Sequence, residues 1–173
     1  VTLHATDAFT RRPGDVFNKG AALEEAWRKW FSQELIEKDW VLLLDADVVP
    51  PHDWRTIVDA QGPQPGILHG AIRHHADTVA DALAFADDPQ GHPLKEIGDA
   101  EVPGFFQLFR RDDPAAMSLP FFDPSWPHAG GYDSILQDRW GMRASMERKR
   151  KLDLRLAHVG PRGNWFGRDE AAK

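Results

Sequence analysis

The stretch "DWVLLLDADVVPPHDW", residues 39–54, runs four consecutive apolar side chains, Val41 to Leu44, straight into two acids, Asp45 and Asp47, and then into a pair of prolines. An apolar run without alternation predicts a strand covered on both faces, as in a parallel sheet flanked by helices. The residues ahead of it complete a unit. "VTLHATDAF" (1–9) alternates and predicts a strand with Asp7 at its end, "TRRPGD" a turn, and "FNKGAALEEAWRKWFSQELIEK" (17–38) a helix. Asn18 suits its N-cap, Glu24 and Glu25 suit an early turn, and Leu23, Trp27 and Trp30 follow helical spacing, as core packing would require. Strand, helix and buried strand make a right-handed crossover, and such sheets bind ligands beyond the carboxyl ends of their strands. Asp45 and Asp47 stand at that end.

The bulk composition narrows the classes. A chain of 173 residues, 42% apolar and 28% charged, fits one globular domain with a core of its own. No run approaches the roughly 18 apolar residues of a membrane span, and no basic, apolar leader opens the chain. Zero cysteines exclude a disulfide framework and thiolate chemistry. These features make a cytoplasmic location the expectation. A net charge of −6 argues against non-specific nucleic-acid binding.

Beyond residue 50 the pattern predicts a short helix at "PPHDWRTIVDA", a strand at "GILHGAIRHH", a helix at "ADTVADALAFADD" and a loop at "PQGHPLKEIGDAEVP". "GFFQLFRR" reads as a strand, and the Pro- and Gly-rich residues 112–132 as irregular chain. "DSILQDRWGMRASMERKRK" reads as an amphipathic helix with a basic end, and "LDLRLAHVG" as a short strand finishing in His158. The basic stretch 143–151 is ordinarily a solvated face; its functional reading is contact with an anionic acceptor.

Two acids at i and i+2 beyond a buried strand need water, a cation or a partner. A hard divalent ion suits them, and a histidine such as His158 favours Mn²⁺ over Mg²⁺. The plain alternative is a pair of turn acids and a structural histidine. His74 and His75 are adjacent, so a strand points them to opposite sides and they cannot share an ion. Asp133, where "AGGY" enters a helix, is either a cap or a general base.

The segments "FNKGAALEEAW", "DWVLLLDADVVPP", "GFFQLFRR", "HAGGYDSILQDRW" and "LAHVGPRGNWFGR" together resemble, in order and spacing, the nucleotide-sugar glycosyltransferases of the GT-A fold, family-two-like. The resemblance implies an α/β, single-domain, GT-A-like (Rossmann-like) architecture over residues 1–173: a mostly parallel sheet flanked by helices, lacking the family's usual first strand. Residues 1–100 would form the donor-nucleotide half, and 101–173 the acceptor half with the C-terminal metal histidine.

The resemblance implies an enzyme, a hexosyltransferase-like glycosyltransferase. Asp45 and Asp47 match the DxD motif and His158 the histidine that completes the metal site, for Mn²⁺ or Mg²⁺. Asp133 matches the base of inverting members, although Tyr132 stands where the family writes Glu. Asp7, Asn18, Lys19, Asp45, Arg73, Asn164 and Arg168 fall where the family meets its donor, a nucleoside-diphosphate sugar with UDP favoured. Trp126, Tyr132, Trp140 and Trp165 are acceptor-side candidates. The acceptor class stays open among a saccharide, a lipid-linked glycan, a protein hydroxyl and a hydroxylated nucleobase. Rival readings are a non-catalytic sugar-nucleotide or glycan-binding module, a sugar nucleotidyltransferase, for which "RRPGD" is a poor phosphate loop, and a metal-dependent phosphohydrolase.

Overall fold

The computed structural model describes residues 19–31, 40–98, 102, 104–117, 132–141 and 147–160. In chain order these form α1 (Lys19–Phe31), β1 (Trp40–Leu44), β2 (Val48–Val49), α2 (Trp54–Ala60), β3 (Leu68–Ala76), α3 (Val79–Asp87), β4 (Lys95–Ile97), β5 (Phe106–Arg110), α4 (Tyr132–Asp138) and β6 (Lys149–Val159). The expected first strand and Asp7 lie outside the described residues.

The class is α/β, and the sheet is mixed. Its six described strands run β1-β5-β3-β6-β2, with β4 pairing β3 on the side. Only β3 and β6 pair in parallel; β1–β5, β3–β5, β3–β4 and β2–β6 are all antiparallel. The expectation of a mostly parallel sheet is thereby corrected. β5 lies between β1 and β3 and runs against both, and β2, which follows the turn after β1, runs against β6 at the other end of the strand order; an unbroken apolar run does not encode direction.

Core packing shows why the apolar runs read as they do. Val41 and Leu43 of β1 join Trp27 of α1, Phe109 of β5, and Leu136 and Trp140 in and after α4. Leu42 points the other way, to Val58 of α2, Phe106, Leu108 and the inward side chains of β6. β1 therefore feeds two cores, but its ends, Trp40 and Leu44, are partly open to solvent, so it is less completely buried than the run suggests. Ala82 and Phe85 of α3 close over Ala76 and Ala157. Thr78 opens α3 with a capping box: its hydroxyl accepts from Asp81 N–H at 3.1 Å, and the Asp81 carboxylate accepts from Thr78 N–H at 3.2 Å.

Two further expectations change. The basic segment does not continue α4, which ends at Asp138 in turns closed onto Gln137 and Asp138, with Gly141 at φ +110°. Lys149 to Lys151 instead begin β6, whose Leu152, Leu154 and Leu156 alternate into the core with period two. Within the loop expected at residues 89–103, Lys95–Ile97 forms β4, paired from His75↔Lys95 to Arg73↔Ile97. Three residues, two of them the strand-poor Lys95 and Glu96, are too short a run to give a sequence signal; the pairing with β3 makes them a strand.

Candidate functional site

The β1 exit builds the site from the backbone outward. Asp45 N–H donates to Phe105 O at 3.1 Å, carrying the β1–β5 ladder one residue past the strand. Val48 N–H then donates to Asp45 O at 3.2 Å, closing a turn with Asp45 at its first position and Asp47 at its third. Acids suit such a turn, so the local backbone alone accounts for their presence. β2 next pairs with β6 in the register Val48↔His158, and Val159 N–H donates to Asp47 O at 2.8 Å. The prolines end this strand because they cannot extend a ladder, and Pro51 O accepts from Trp54 N–H at 3.1 Å as α2 begins.

The clamp of β2 on β6 brings two distant parts of the chain together. Asp45, Asp47 and His158 each offer one ligand atom, all within 4.8 Å of one another. His158 is 3% exposed, whereas the Asp47 side chain is about half exposed at 52%. His158 Nε2 lies 3.6 Å from Asp47 Oδ1, beyond hydrogen-bonding distance. Exposed carboxylates are at home in water, so the distinctive feature is the buried imidazole that faces them.

Charge around the ring sets its state. Burial pushes the His158 pKa below the ordinary histidine value. The Asp47 and Asp45 carboxylates oppose this, and Arg73 and His75 reinforce it. At neutral pH the imidazole is neutral and keeps a nitrogen lone pair, the form in which histidine binds metals. Arg73 and His75 share its face of the sheet, since β3 and β6 run parallel in the registers Arg73↔Leu156 and His75↔His158. His74 faces away, its Nδ1–H donating to Leu94 O at 3.0 Å and its ring packed on Phe85, as alternation along a strand requires.

Phe105 was not foreseen as part of the site. Its ring meets His158 nearly perpendicular, at 75° and 6.0 Å between centroids, and the Arg73 guanidinium lies 5.4 Å from the centre of the same ring. The signal was its place just ahead of β5, but an aromatic residue beside a strand reads first as core.

Two carboxylate oxygens and one imidazole nitrogen suit Mn²⁺ or Mg²⁺. Those ions take ligands at about 2.0–2.2 Å in octahedral geometry, so opposed ligands stand about 4.2 Å apart. The three donors lie close enough for side-chain adjustment to bring them onto one ion, and an octahedron would retain open positions for a ligand's oxygens. The residues fit the group.

The other candidates separate. Arg73 stands beside the trio. Lys19 opens α1, and Tyr132 and Asp133 open α4, with their side chains outside the described part. Asp7, Asn18, Trp126, Asn164, Trp165 and Arg168 lie outside the described residues. Trp140 is not a surface platform. It is 0% exposed, packs on Phe109 at 5.1 Å, and its indole N–H donates to Asp113 Oδ2 at 3.1 Å.

The basic stretch is likewise dispersed: Arg148 pairs with Asp113 at 3.1 Å and donates to Gly66 O, Lys149 is buried, and Arg150 is exposed. No described helix is long and apolar enough to cross a membrane. Comparison with family models, curated proteins and solved structures finds no match.

Proposed function

We propose that this chain is a metal-dependent glycosyltransferase that moves a sugar from a nucleoside-diphosphate donor, UDP-sugars favoured, to an acceptor hydroxyl. The observation that carries the reading is the convergence of Asp45 and Asp47, at the β1 exit, with the buried His158, near the end of β6. A divalent cation held there would offset the negative charge that gathers on a diphosphate leaving group. Asp45 and Asp47 supply the hard oxygens. His158 supplies a neutral nitrogen, which burial and the nearby Arg73 keep unprotonated. Arg73, on the same sheet face, adds a positive charge where a phosphate would lie.

Asp133, at the start of α4, is assigned as the base that accepts the acceptor's proton, which makes the transfer inverting. The sheet supports the reading at a coarser level, because ligands of open α/β sheets gather beyond strand ends.

Calorimetric titration of nucleoside diphosphates, with Mn²⁺ and with chelator, tests the donor site. One diphosphate should bind only with metal, and Asp47→Ala should abolish the binding. Turnover of the matching sugar nucleotide, even to free sugar, then separates an enzyme from a binding module. Asp133→Asn should keep diphosphate binding and lose turnover. Absence of metal-dependent diphosphate binding in the unmodified chain would refute the proposal. Release of pyrophosphate from a nucleoside triphosphate and a sugar phosphate would establish the nucleotidyltransferase reading instead.

A further inference from the structure

We infer that Phe105 is a positioning residue of the cation site, an inference that rests on Asp45, Asp47 and His158 being its ligands. Three contacts converge on this one buried residue. Its carbonyl accepts from Asp45 N–H at 3.1 Å, which fixes where the acidic turn leaves β1. Its ring meets the His158 imidazole edge-to-face at 6.0 Å and 75°. The guanidinium of Arg73 lies against that ring, 5.4 Å from its centroid. Phe105 is 3% exposed, so the ring is held by packing with Phe106, Leu156 and their neighbours.

The contacts imply two effects. The torsion that turns an imidazole about its last side-chain bond is broad and soft, so a metal-binding histidine needs an outside wall to aim its nitrogen. Phe105 is such a wall, and a perpendicular ring contact is a favoured arrangement for two aromatic groups. The second effect concerns Arg73. A guanidinium near two carboxylates is their natural partner and a rival to a cation. Attraction to the Phe105 ring face gives the guanidinium a fixed anchor beside the site. The side chain thus shapes the site without touching its ligand, while its backbone bond to Asp45 survives any substitution.

The experiment compares Phe105→Leu with Phe106→Leu, a matched loss of volume from the same core one residue along. The probes are Mn²⁺ alone by calorimetry and Co²⁺ by its visible absorption. Phe105→Leu should weaken both metals roughly tenfold and shift the Co²⁺ band, the scale of effect expected of a residue that orients a ligand. Phe106→Leu should lower the melting temperature comparably and leave affinity and band unchanged. Phe105→Met, which fills the same space without a ring, replaces the leucine variant should that fail to fold. If the Phe105 and Phe106 variants bind metal alike, the positioning role is overturned and the metal site stands. If the unmodified chain binds neither metal, both readings fall.

Discussion

Asp47→Asn isolates the cation reading with little disturbance to the fold. The turn is closed by the backbone of Asp45 and clamped to β6 by Asp47 O, neither of which the substitution touches. The Asp47 side chain is about half exposed, so the apo protein should change by no more than about 0.5 kcal/mol. What is lost is one of three ligands and one of two negative charges. In the unmodified chain, Mn²⁺ at a hundred times its dissociation constant stabilises the native state by about 2.7 kcal/mol. For a domain of 173 residues that raises the melting temperature by about 5–10 °C.

If the substitution weakens Mn²⁺ by roughly a hundredfold, the upper end of what even an outer-shell partner costs, the same concentration only half fills the site. The stabilisation then falls to about 0.4 kcal/mol, and the melting shift to about 1 °C. Scanning calorimetry with and without Mn²⁺ reads both numbers in one pair of runs. Equal metal-induced shifts in the two proteins would refute the reasoning, because they would place the ion elsewhere. An apo melting temperature lowered by several degrees would show instead that Asp47 holds the turn together.

Acid should weaken the fold earlier than carboxylate titration alone would suggest. His158 and His69 both have pKa values lowered chiefly by burial, and His69 is further depressed by Arg150 against a raising contact with Gln64. The unfolded chain therefore binds protons that the native state resists, and the stability these histidines contribute is present above about pH 6.5 and lost as pH falls through their lowered native values. Urea unfolding from about pH 7.5 down to about pH 5.5 should show a falling free energy, and a flat profile would contradict the neutral state assigned to both rings. Gly70→Ala should destabilise by about 1–3 kcal/mol, since its Cβ would stand 2.6 Å from Val102 Cγ1 and 3.2 Å from Val102 Cα; chemical denaturation with no change in midpoint would count against that close approach.

How much of this was legible in the sequence depends on which signal each residue carries. Asp45 and Asp47 were legible because a patterned strand sets their position: the apolar run fixes where β1 ends, and the prolines after Val49 confine the acids to a short segment beyond it. His158 was legible for the same reason, standing at the end of a segment whose leucines alternate. The meeting of the three was expected through the family resemblance alone and not from pattern, because it depends on β2 folding back to pair with β6, and two residues of strand have no periodicity to read.

Lys149 to Lys151 misled because positive charge on a chain following a helix reads as more helix. The decisive signal, alternation from Leu152 onward, begins just beyond them. Trp140, an acceptor-side candidate by residue type and position, is instead a core residue whose indole N–H is satisfied by Asp113, a partner 27 residues away. Phe105 shows the same gap at the site itself. Its residue type says core, and its burial agrees; only the directions of Arg73 and His158 from neighbouring strands turn a packed aromatic ring into a wall of the site. Pattern therefore locates the ligands, and strand pairing selects the neighbours that aim them, which is why comparing Phe105 with Phe106 separates function from packing where residue type cannot.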